Sequence, residues 1–134
     1  MGVQLIGSEI ITSGKREHLH RRIVDWLKKY TKEIITPRAN NMASQLECKI
    51  NRISIRDTKS RWGSCSSQGN LSFCWRLIMT PEWVLNYVIA HEVSHLKHMD
   101  HGPEFWKIVG TFGVKPKQAR LWLNQNSRVL QRIR

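Results

Sequence analysis

The stretch Ala90-His91-Glu92-Val93-Ser94-His95 carries the densest chemistry in the chain. His91 and His95 stand four positions apart, so on a helix their imidazoles leave one face about a turn apart and can hold one metal ion, with Glu92 beside them. This is the H-E-x-x-H spacing of zinc hydrolases. A catalytic zinc takes three protein ligands and keeps a position open for water. His98 shares the face of His91 but lies roughly 10 Å along a helix from it, at about 1.5 Å per residue, too far to share an ion with Zn–N bonds of about 2.1 Å. The third ligand must therefore come from beyond the helix. His101 fits the spacing best, because Gly102-Pro103-Glu104 reads as the start of a new helix and makes the chain turn just there. Asp100 and Glu104 are the other candidates.

The segment before the motif is built to be a helix. Thr80-Pro81-Glu82 offers an N-cap residue, a proline where its missing N–H costs nothing, and an acid in the positive first turn. Trp83, Val84, Leu85, Tyr87, Val88, Ile89 and Ala90 then form a nearly continuous apolar approach, as in a helix buried through a core. Two histidines and a glutamate at the end of such a helix are costly unless a metal or hydrogen bonds satisfy them.

Upstream, Leu19, Ile23, Trp26, Leu27, Tyr30 and Ile34 recur at helical spacing over 15–35, with His18 and His20 among the charged surface positions. Pro37 is expected to interrupt this helix, leaving a second short helical piece over 39–46. Alternation over 49–56, with Ile53 and Ile55 inward, predicts a strand; a second is predicted over 71–76, after the turn at Ser66–Asn70. The two are expected to form a small antiparallel sheet packed on the metal helix. Gly63, between them, allows a close backbone approach to another group. Downstream, Pro103–Val109 reads as a short helix, and Lys115-Pro116 opens a last helix with a strongly basic end. Residues 1–14 are expected to be irregular or strand-like.

The 134 residues suffice for one domain with a substantial core. Cys48, Cys65 and Cys74 are odd in number and lack C-x-x-C spacing, which argues against a disulfide framework or a cysteine zinc ribbon. With no secretory leader pattern and no long apolar run, the reading is a cytoplasmic protein without membrane insertion. Lys and Arg number 22 against 10 Asp and Glu, a net charge of +12 with a pI near 10.3. Such a surplus attracts an anionic partner, nucleic acid or nucleotide.

Arg61-Trp62-Gly63-Ser64-Cys65, Trp75-Arg76-Leu77-Ile78, Pro81, the run Tyr87 to Leu96, His101 and Phe105-Trp106 together resemble the YgjP-like metallopeptidase family, related to the SprT and WLM proteases. The resemblance covers residues 15–125. It implies an α+β, compact zincin-like domain, Zn2+ held by His91, His95 and His101, and Glu92 as general base. Family members commonly carry an additional N-terminal β-rich segment missing here, which would make the sequence a short member or a fragment. The metzincins share the histidine spacing but place glycine where this chain has His98, so the turn is expected to differ from theirs.

The function that follows is hydrolysis of a peptide or protein substrate by a zinc-activated water. Substrate contacts are expected from Arg61, Asn70, Trp75, Arg76 and His98, with the strand over 70–76 as an open edge able to hold an extended peptide. Two other readings share the residues: a zinc-dependent nucleotide phosphoanhydride hydrolase using the arginines, and a basic nucleic-acid-associated module with a structural metal. The last does not need Glu92.

Overall fold

Helical spacing from Leu19 onward gives α1 (Ser13–Gln45), one 33-residue helix in the computed structural model, which describes residues 13–133. The segment 1–14 expected to be irregular or strand-like lies outside the described residues, except for 13 and 14, which already belong to α1. The expected break at Pro37 does not occur. Thr31, Ile35, Ala39 and Ala43, each four residues on, form an unbroken buried row that passes through the proline. That row packs on the motif helix, the first strand and the segment before the motif helix. Its packing outweighs the roughly 3 kcal/mol a proline costs inside a helix.

The end of α1 is fixed without glycine. Glu47 adopts a left-handed φ of 57°, and the Cys48 N–H donates to the Ala43 carbonyl at 2.9 Å, closing the helix in a Schellman-type turn.

Three strands follow: β1 (Arg52–Arg56), β2 (Gly63–Cys65) and β3 (Asn70–Cys74), in the order β1-β3-β2. The sheet is mixed rather than antiparallel. β1 runs parallel to β3, with Ile53 opposite Leu71 and Ile55 opposite Phe73, and only β2 pairs antiparallel with β3. The cause is Arg61–Cys65, which supplies a strand of its own. The chain leaves β1, passes to the far side of the sheet as β2, and returns through the Ser66–Asn70 turn, where Gly69 takes a φ of 82°. β3 is therefore the central strand, and the expected open edge over 70–76 does not exist; β2 and β1 are the edges.

Between the sheet and the motif helix, Trp75–Met79 forms a 3₁₀ helix. The Thr80 hydroxyl donates back to the Leu77 carbonyl at 2.7 Å, so it does not cap the next helix, whose first acceptor is the Pro81 carbonyl. That helix, α2 (Glu82–Ser94), is central: it packs on α1, β2 and the two helices that follow, α3 (Pro103–Gly110) and α4 (Pro116–Gln131). Val84, Leu85, Val88, Ile89 and Val93 are all buried there. Arg38 of α1 clamps its start, donating to Asn86 at 2.9 Å and Glu82 at 2.7 Å. Among the described residues no helix is long and apolar enough to cross a membrane.

Among the described residues, only Glu47 has a left-handed backbone that is strained for its residue type. Replacing Glu47 with Gly should raise the unfolding free energy by roughly 0.5–1 kcal/mol, seen as a higher urea midpoint at unchanged slope. An unchanged or lower midpoint would show that the turn stores no strain.

Candidate metal centre

The motif helix ends in the act of presenting its histidines. After Ser94 the bonds tighten to the i→i+3 pattern, His95 N–H to Glu92, Leu96 to Val93 and Lys97 to Ser94, and the chain turns out of the helix. His98 thus sits on the turn, where its backbone carbonyl accepts a hydrogen bond from His95 Nδ1 at 2.9 Å. That bond puts the His95 proton on Nδ1 and leaves the Nε2 lone pair free for a ligand. The turn continues through Asp100, whose carboxylate receives the Gly102 N–H at 3.3 Å, and swings His101 back over the helix end.

His91, His95 and His101 are brought together. Their candidate ligand nitrogens all lie within 4.8 Å of one another, and the ring centroids are 4.8 to 5.2 Å apart. Around a tetrahedral ion with bonds of about 2.1 Å the nitrogens would stand about 3.4 Å apart, so a small inward movement suffices. Asp100 and Glu104, the other candidates for third ligand, are not part of this cluster. Partial desolvation, together with the neighbouring His91, His95 and Arg120, holds the His101 pKa below its ordinary value against the opposite pull of Glu92. The donor set, three imidazoles opening to solvent at exposed His101, fits a catalytic metal site with a free position.

Glu92 is buried beside the trio, its Oε2 3.2 Å from His91 Nδ1. With the proton on that nitrogen, His91 donates to the carboxylate and keeps Nε2 for a metal. The carboxylate has room only because residue 63 is glycine: a Cβ there would lie 2.9 Å from Glu92 Cγ and 3.1 Å from Oε2. The close approach expected at Gly63 is thus made against the glutamate of the motif. Burial pushes the nearby Cys65 thiol up to about 11, with the Glu92 charge adding to the effect, so it stays a neutral thiol.

Aromatic rings from α3 close the site from below and behind. Phe105, fully buried, stacks on the His95 ring at 4.4 Å and meets His91 and His101 edge-on. Trp106 stands beside His91 and His101 and carries the Arg120 guanidinium over its ring at 5.6 Å. Two hollows open here, of about 310 and 470 Å³, and both include His91 and Arg120. The first also contains Arg61, Gly63, Tyr87, Glu92 and Asn124. A larger hollow of about 800 Å³ lies between α1, the start of α2 and the α3–α4 connection, with none of the three histidines; chemistry, not size, marks the site.

The YgjP-like metallopeptidase domain model matches residues 5–126. The chain belongs to that family. Among solved structures it is similar to jannalysin, a metallopeptidase zymogen of Methanocaldococcus jannaschii, with 25% identity and a TM-score of 0.58 over 69% of this chain and 95% of the other. It also shares its fold with abylysin, a metallopeptidase zymogen of Pyrococcus abyssi, at 22% identity and a TM-score of 0.51 over 56% and 75% of the two chains. No curated protein matches.

In this YgjP-like domain the residues expected to touch substrate separate clearly. Arg61 is exposed on the cleft beside Glu92. Asn70 instead ties the start of β3, its side-chain Oδ1 accepting from the Asn51 side-chain amide at 2.8 Å and its backbone N–H donating to Ser66 Oγ at 3.1 Å. Trp75 is buried, and so is Arg76, which donates to Asp57 at 2.6 Å and to the Ile133 carbonyl at 3.0 and 2.6 Å. Burial raises the Asp57 carboxyl, but the Arg76 hydrogen bond and charge win and hold it below the usual range. Arg76 is therefore a clamp joining β1, the 3₁₀ helix and the end of α4. His98 serves through its carbonyl. Phe105, Trp106 and Asn124 had not been expected at the site, and Arg120 only as one of the C-terminal arginines of the phosphoanhydride-hydrolase reading. For the aromatic pair the available signal was its position directly after His101; Arg120 was hidden in the basic C-terminal run.

Gly63→Ala should leave the three histidines in place and displace Glu92. Metal uptake should persist while stability falls by about 1–3 kcal/mol, measured by elemental analysis and denaturant titration. Undiminished stability would mean that the carboxylate does not pack against residue 63.

Proposed function

We propose that this chain is a zinc-dependent metallopeptidase domain in which His91, His95 and His101 hold Zn2+ and Glu92 is the general base. The observation that carries this reading is the convergence of three imidazoles and one buried carboxylate on a solvent-open cleft. Nitrogen-only sites also accept cobalt, nickel or copper; the choice of zinc rests on the H-E-x-x-H pattern and the family.

Bound there, zinc would polarise the scissile carbonyl and acidify the attacking water. Glu92 takes the proton from that water as its oxygen bonds to the carbonyl carbon, then delivers it to the amine as the C–N bond breaks. Its burial beside His91 keeps the carboxylate at the reacting centre and largely away from bulk water. Tyr87 lines the cleft as a neutral phenol, because burial pushes its pKa up to about 12, partly offset by Arg120 and reinforced by Glu92. It can donate to the oxyanion that develops on the carbonyl. The peptide lies in extended form along β2, the edge strand whose Gly63 adjoins Glu92.

Elemental analysis of purified protein should find about one zinc per chain in the wild type and in Glu104→Ala, and none in His91→Ala, His95→Ala or His101→Ala. Glu92→Gln should retain zinc while peptide cleavage falls by about 10²–10⁴-fold. A metal-free wild type after metal-replete purification would overturn the reading. So would phosphate release from nucleotides without any peptide cleavage.

A further inference from the structure

The cleft has an unbalanced charge. Among the described residues Glu92 is the only carboxylate lining either hollow, whereas two arginines line them, Arg61 the first and Arg120 both. Arg120 differs from the other basic residues of α4 in two respects. It borders both hollows together with His91. Its guanidinium lies over the Trp106 ring at 5.6 Å, which orients a side chain that would otherwise sample many rotamers. Like Lys117 and Arg128 of the same helix it makes no ion pair and no hydrogen bond among the described residues, so none of these claims the donors of its planar fork.

An arginine on a chain of net charge +12 is ordinarily a solvated surface group. Here Arg120 lines one hollow with Tyr87, His91 and Glu92 and the other with His91 and His101. Guanidinium pairs best with planar anions that accept two parallel hydrogen bonds, above all carboxylates. A carboxylate arriving there would find its counter-charge already positioned and would restore the charge balance of the cleft.

We infer that Arg120 is the specificity residue of this cleft, binding a substrate carboxylate close to the scissile bond, so that the preferred substrates are acidic peptides or peptides cut near their free C-terminus. The inference rests on the peptidase reading above. The two sources of carboxylate, an Asp or Glu side chain and the terminal carboxylate, share this chemistry and are separated by choice of peptide.

The test uses the full chain, zinc-loaded and carrying Glu92→Gln, so that binding is read without turnover. Isothermal titration would compare two pairs of N-acetylated alanine-based hexapeptides: amidated peptides with Glu or Gln at each central position, and an all-alanine peptide as free acid or amide. At least one pair should show the carboxylate member binding about ten-fold or more tightly. Adding Arg120→Met should abolish that difference, and Arg120→Glu should reverse it, with zinc content unchanged in both; Arg61→Met should preserve it. Preference in the first pair assigns the site to an acidic side chain, and in the second to the chain terminus. Equal binding of charged and neutral members, or a preference that survives Arg120→Met or vanishes only with Arg61→Met, overturns the inference. In the otherwise wild-type enzyme, cleavage of neutral and acidic peptides at equal kcat/KM would sink the inference and leave the peptidase reading intact. Failure to bind or cleave any peptide would sink both.

Discussion

The hydrogen bond from His95 Nδ1 to the His98 carbonyl is the small interaction on which the site depends. It joins a side chain of α2 to the backbone of the turn that follows, fixing at once the tautomer of His95 and the path of the chain toward His101. A helix continuing past Ser94 would have tied up that carbonyl in its own ladder and carried His101 away from His91 and His95. The same economy governs the other buried polar groups of the motif. Ser94 donates to the Ala90 carbonyl at 2.7 Å, and Glu92 has His91 beside it and the space left by Gly63. Burying polar groups without partners would cost several kcal/mol, so the apolar helix can carry the motif inside only because each group is answered locally.

The surrounding elements are arranged around this helix end in a division of labour. α1 and the sheet bury the apolar length of α2, while α3 backs the histidines with Phe105 and Trp106, lowering the dielectric around them without adding a competing charge. α4 forms the opposite wall. It is anchored along its length by buried Ala119 and Leu123, and its far end is held by the Arg76 clamp on Ile133. The side chain of Arg120 therefore projects from a helix secured at more than one point, which gives its position relative to Trp106 and the histidines structural meaning.

What could be read from the sequence was what depends on short-range periodicity. Four-residue spacing put His91 and His95 on one face, the turn signal Gly102-Pro103 returned His101 to them, and the apolar approach marked α2 as buried; the structure has all three features. Pairings decided by distant packing were not legible. Pro37 looked like a helix end because its local cost is visible in sequence and the buried Thr31–Ala43 row that overrides it is not. The two alternating segments looked like hairpin partners because Arg61–Cys65, short and glycine-containing, hides its strand character until β3 offers it an edge. Arg76 and Arg120 illustrate the same limit from both sides. Residue type alone made Arg76 a candidate for substrate, whereas it is fully buried against Asp57 and Ile133; the same basic composition could not single out Arg120, which lines the cleft, from the other C-terminal arginines.

The sheet order has a consequence for how a substrate would approach. An antiparallel pairing of β1 with β3 alone would have left β3 as an edge, its unpaired backbone N–H and C=O groups open to an incoming chain. Placing β3 in the centre gives the edge to β2, the strand that contains Gly63 and follows Arg61 and Trp62. One residue then serves two ends: lacking a side chain, Gly63 admits the Glu92 carboxylate from within, and it belongs to the strand edge nearest that carboxylate. An extended peptide paired with β2 would carry its backbone past Glu92 and between the Arg61 and Arg120 sides of the cleft. The register of such a peptide would then be set by main-chain hydrogen bonds on one side and by guanidinium charge on the other, a combination that would select for position along the chain as well as for charge.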